Sequence, residues 1–127
     1  MRTTPEGLAR RAARCKHWRW MEGMSGISPA RNAGDTGYMF RVTDESEPFL
    51  KKEYPNLHDP ATVGCLLYLV REVWDKASLS PMYSEYTDRG GEWSLAVPVV
   101  EERMLTIRLF TGRSEEEVLV KALEAAP

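Results

Sequence analysis

The chain predicts an α+β fold: an antiparallel sheet of about four to five strands packed with three helices, in an α-β-α sandwich-like arrangement. Three observations carry this expectation. Apolar residues recur at three-four spacing between positions 59 and 75, alternate with polar ones between 82 and 110, and return to helical spacing after a capped start at Ser114. The order is helix, one or two strands, helix, three strands, helix, with no internal repeat.

The first helix is expected over residues 5–18, with Thr4 as N-cap, Pro5 at the first helical position and Glu6 near the positive end of the dipole. Leu8, Ala12 and Cys15 form its narrow apolar stripe, while Arg10, Arg11 and Arg14 make a basic outer face. From 23 to 37, glycines and turn-forming polar residues predict a loop or irregular hairpin. Residues 38–43 have strand character, and 49–54 form its partner or an extended lead-in.

Asp59-Pro60 is an N-cap followed by proline at the first helical position, opening the central helix, which runs to about Asp75. Val63, Leu66, Leu67, Val70, Val73 and Trp74 form its core face, widened by Cys65 and Leu69. Strands are expected at 82–87, 92–97 and 104–110, with turns at 88–91 and around Glu101-Glu102. Trp93, Leu95 and Val97 alternate with small residues, and Leu105, Ile107 and Leu109 alternate with Thr106 and Arg108. This predicts a meander with one buried face and one largely polar face. Ser114 and Glu117 then read as a capping box opening a terminal amphipathic helix.

With 127 residues, one domain spanning 1–127 is the default. Hydrophobic content of 43% and charged content of 28% argue against disorder or a membrane bundle. No apolar run reaches the ~18 residues of a membrane span, and no signal-peptide core follows the basic N-terminus, so a cytoplasmic protein is expected. The two cysteines, Cys15 and Cys65, fit buried thiols. With His17 and His58 they lack zinc-finger spacing, so neither metal nor cofactor is expected.

The net charge of −2 conceals an asymmetry: residues 1–22 hold six of the seventeen basic side chains against two of the nineteen acidic ones, giving +4 there and −6 elsewhere. Arg10, Arg11, Arg14, Lys16 and Arg19 with Trp18 and Trp20 combine cations for phosphates with indoles for base stacking, the pattern of a nucleic-acid or nucleotide site. Tryptophans at a helix end also anchor the helix to a sheet, and a pI of about 5.7 counts against a dedicated nucleic-acid binder. Tyr68, Arg71, Glu72 and Asp75 fall on the outward side of the central helix, an aromatic and arginine-bearing face of the kind found at protein interfaces. No nucleophile-base pair, paired-acid cleft or phosphate loop is present. Binding rather than catalysis is therefore expected.

Three segments carry a resemblance: ARRAARCKHWRWMEGM at 9–24, LHDPATVGCLLYLVREVW at 57–74 and SEEEVLVKALEAA at 114–126. They resemble a family of small phage and prophage proteins, and are distantly similar to phage proteins described as an α-β-α sandwich domain. The resemblance covers roughly a third of the chain and implies a phage origin and a sandwich fold. By analogy with small phage accessory proteins the partner expected is a host or phage protein, and self-association is expected because so small a sandwich can leave an apolar face exposed. It supplies no activity and no catalytic residues.

Overall fold

The computed structural model describes residues 4–29, 34, 37–43, 52–85 and 91–127. It contains α1 (Pro5–Arg14), β1 (Ser25–Ser28), β2 (Tyr38–Arg41), β3 (Tyr54–Pro55), α2 (Pro60–Val73), β4 (Met82–Ser84), β5 (Glu92–Glu101), β6 (Met104–Gly112) and α3 (Glu115–Ala125). The class is α+β, but the strands form two three-stranded antiparallel sheets, ordered β2-β1-β3 and β4-β5-β6, rather than one sheet of four to five. Two compact units result, Met1–Leu66 and Leu67–Pro127, and the division falls inside α2. The expected turn at 88–91 lies mostly outside the described residues, as does much of the extended segment at 49–54.

In the first unit, Thr4 caps α1 by accepting from the Gly7 amide at 3.0 Å. The helix ends at Arg14, four residues short of expectation, because Cys15 turns to extended backbone. Leu8, Ala9 and Ala12 are its buried residues, and α1 packs against β3. The irregular stretch after Gly23 contains β1, the middle strand of its sheet. Its small, polar sequence Ser-Gly-Ile-Ser carries no apolar alternation, and three of its four residues are buried. Gly26 faces Phe40 across the β1–β2 ladder, and a Cβ there would run into the Phe40 ring, so the strand needs glycine for close approach.

A polar network ties the start of α2 to β1 and β2. Asp59 accepts from the Thr62 amide at 3.0 Å, which is the expected N-cap, and from the Thr62 hydroxyl at 2.8 Å. The buried Thr62 oxygen in turn accepts from the Ser25 amide at 2.7 Å, and Arg41 donates to Asp59 at 3.1 Å and to the Gly23 carbonyl at 2.8 Å.

In the second unit, α3 packs against β5 and β6. Val118, Leu119, Val120, Ala122 and Leu123 are buried, as are Leu95 and Val97 of β5 and Leu69 and Val70 of α2. The Trp74 indole donates to the Ala122 carbonyl at 2.9 Å and packs by Phe110, with the Arg108 guanidinium 6.0 Å from its ring centre. The end of α2 is a Schellman motif: Lys76 N–H bonds the Arg71 carbonyl, Asp75 N–H bonds the Glu72 carbonyl, and Asp75 takes the left-handed conformation with φ 53°.

Candidate interaction surface

The N-terminal basic and aromatic residues do not lie along one helix. Lys16, Trp18, Arg19 and Trp20 follow the end of α1. Arg10 pairs with Glu6 at 2.9 Å and lies 4.6 Å above the Tyr54 ring. Burial, reinforced by the Glu6 carboxylate, holds the Tyr54 hydroxyl above its ordinary pKa. Trp18 and Trp20 meet edge-to-face at 5.5 Å, and Trp20 continues onto Phe40 at 6.0 Å. The Trp18 indole N–H is buried without an acceptor among the described residues. Arg11 and Arg19 have interactions of their own, while Arg14 and Lys16 are exposed. The aromatic rings thus brace one another and β2.

On α2, Tyr68 is 53% exposed and Glu72 is exposed. Arg71 is half-buried and donates through Nε to the Leu79 carbonyl at 2.8 Å, and Asp75 closes the helix. Arg71 and Asp75 therefore serve the local structure, and Glu72, though exposed, has an interaction of its own. At the start of α3, Ser114 Oγ accepts from the Glu117 amide at 3.1 Å. The Glu117 carboxylate reaches the Arg113 amide at 2.8 Å, one residue earlier than a strict capping box would place it, and pairs with Lys121. Among the described residues no three His, Cys, Asp or Glu side chains converge as metal ligands. Burial raises the Cys65 thiol pKa, with a smaller contribution from the Asp59 charge. No described helix is long and apolar enough to cross a membrane.

The feature that departs furthest from an ordinary surface is the β5–β6 hairpin. Its loop is two residues, Glu102 and Arg103, both at positive φ (51° and 68°), as a type I′ turn requires. The turn pairs Glu101 with Met104, and the register continues Val100↔Leu105, Val99↔Thr106, Pro98↔Ile107, Val97↔Arg108, Ala96↔Leu109 and Leu95↔Phe110. Odd positions of β5 thus share a face with even positions of β6. The buried face that holds Leu95 and Val97 receives Phe110 and Arg108. Leu105, Ile107 and Leu109 fall on the opposite face with Val100, Pro98 and Ala96.

This corrects the expected meander, in which those β6 residues face the core. Val100 is 72% exposed, Leu105 71%, Ile107 66% and Leu109 62%, and Met82 of β4, on the same face, is 70% exposed. Along the strands, from Ala96 to Val100 and from Leu105 to Leu109, this face carries no charge; Glu102 and Arg103 stand in the turn at its tip. The polar groups lie on the other face, where Arg108 pairs with Glu101 at 3.0 Å. A one-residue change in register inverts which side chains face the core, so the two-residue loop, together with the burial of Leu95 and Val97, sets this arrangement. No alternation count along β6 could reveal it.

No family model matches the chain, no curated protein matches its sequence, and no solved structure matches its fold.

Proposed function

We propose that this chain is a small accessory protein that acts by binding another polypeptide, and that the apolar face of the β5–β6 hairpin is the surface it binds with. The observation that carries this reading is the uncharged face itself. Five large apolar side chains about two-thirds exposed, on one face with Ala96 and Pro98, together leave on the order of 600 Å² uncovered. That is at the upper end of the largest apolar patch a typical monomer exposes, and patches of that size are often functional. Tyr68 and Glu72 on α2 remain exposed and stand as a secondary contact. The resemblance to phage and prophage proteins favours a host or phage polypeptide as the partner.

A nucleic-acid site on the N-terminal segment has less support. Arg10 is held by Glu6, and Trp18 and Trp20 pack on each other rather than presenting parallel stacking platforms. Placing a photo-crosslinking side chain at Ile107, and separately at Arg14, in the cell of origin tests both readings. Polypeptide adducts from position 107 are expected. Adducts only to nucleic acid, and only from position 14, would sink the protein-binding reading.

A further inference from the structure

Resting on that reading, we infer that the partner seated on the β5–β6 face is a second copy of this chain, packed face to face across a two-fold axis through the Pro98–Ile107 pair. The argument starts from area. The exposed face offers on the order of 600 Å², at the low end of what each partner contributes to a standard stable interface, roughly 800 Å² with a spread of about 200 Å². A pleated apolar face of this size is the shape another pleated apolar face covers, since two sheets pack with interdigitating side chains about 10 Å apart.

Charge points the same way. A partner recognised by charge needs complementary groups on this face, and its strand positions, Ala96 to Val100 and Leu105 to Leu109, offer none, the charges of Glu102 and Arg103 standing in the turn at its tip. A neutral apolar patch is complementary to itself. Self-complementarity is the condition for an isologous two-fold dimer, in which each residue of the patch meets its symmetry counterpart or a neighbour. The Pro98↔Ile107 pair lies midway between Ala96↔Leu109 and Val100↔Leu105, so it is the natural centre.

The other route to self-association is strand addition at the edge of β6. The two-residue turn closes on a hydrogen-bonded Glu101↔Met104 pair, and alternation makes Pro98↔Ile107 a non-bonded pair, as a proline without N–H demands. The backbone groups of Leu105, Ile107 and Leu109 therefore point to the outer edge. Edge pairing would satisfy them but would place two apolar faces side by side on one surface and leave both uncovered. Face-to-face stacking removes that surface from water, which is why it is the arrangement inferred.

Sedimentation equilibrium of the purified chain over about 1 to 500 μM, compared with Ile107→Lys and Thr106→Lys, tests this. Circular dichroism checks that each variant stays folded, as is expected for exposed positions. The wild type should approach twice the 14.5 kDa chain mass. Ile107→Lys buries a charge against its own counterpart, so it should weaken association by at least about 100-fold. Thr106→Lys, on the opposite face, should leave it unchanged. A wild type that stays monomeric throughout overturns the inference. So does a dimer that survives Ile107→Lys, as edge pairing would give, or one lost equally with Thr106→Lys. If the purified chain is monomeric while position 107 still crosslinks to a different polypeptide in the cell, the self-association inference fails and the binding reading stands. If position 107 crosslinks to nothing, both fail.

Discussion

Thr62 is the residue through which most of the polar order in the first unit passes. Its hydroxyl receives the Ser25 amide and donates to Asp59, and it is fully buried. Thr62→Val keeps the shape but strands a buried N–H, so denaturant unfolding should show a loss of about 2 kcal/mol, with Thr62→Ser losing much less. Asp59 titrates within the same network. The Thr62 hydroxyl bond, followed by the Thr62 amide and Arg41, holds its carboxyl below the ordinary carboxylate pKa despite some desolvation. A lowered folded pKa contributes stability that is present above the unfolded value of about 4 and is lost as pH falls through the folded one. Asp59→Asn should therefore flatten the acid limb of the stability-pH curve below about pH 4 while leaving a helix cap in place. An acid limb identical to wild type would show that Asp59 is not coupled to folding.

Elements end here on residues that tolerate their backbone poorly. Asp75 takes the left-handed position of the α2 Schellman motif, where glycine bears no steric cost. Asp75→Gly should raise stability by about 0.5 to 1 kcal/mol in chemical denaturation. The β5–β6 turn asks the same of Glu102 and Arg103, so Glu102→Asn with Arg103→Gly should stabilise the hairpin by about 1 to 2 kcal/mol without changing register. A destabilised double variant would mean the loop is not a type I′ turn. β4 pairs with residues 92–94 of β5, and among the described residues no strand pairs with the outer side of β5 beyond them, where Pro98 removes the donor from its middle. Pro98→Val should make the protein measurably more prone to aggregation in light scattering.

At the scale of the whole molecule, α2 is shared: its first residues belong to one compact unit and its last to the other. A helix propagates cooperatively along its length, so melting either end weakens the other. Calorimetry should accordingly record one transition. Gly64, exposed in the middle of α2 with open space where a Cβ would go, offers the probe. Gly64→Ala should raise stability by about 1 kcal/mol and shift that single transition upward by a few degrees. Trp18 and Trp20 report on one unit, Trp74 and Trp93 on the other. Separate transitions of the two fluorescence reporters would refute the coupling.

Much of the fold is legible in local chemistry. Thr4, Asp59-Pro60 and Ser114 mark their helix starts locally, because a cap uses only its own side chain and the next three amides. The α2 stripe and the β5 alternation are equally local, and Leu66, Leu69, Val70, Leu95 and Val97 are buried as their periodicity predicts. β1 escapes such reading because glycine and serine carry no apolar pattern. Its place in the middle of a sheet comes from Phe40 lying over Gly26 and from Thr62 reaching Ser25. The candidate surface escapes for a different reason. Leu105, Ile107 and Leu109 have the composition and spacing of core residues, and only the register imposed by Glu102 and Arg103 turns them outward. Period and propensity are properties of one segment and can be read from it. Which face of a strand meets the core is a property of a pair of strands, and becomes definite only when the turn between them closes.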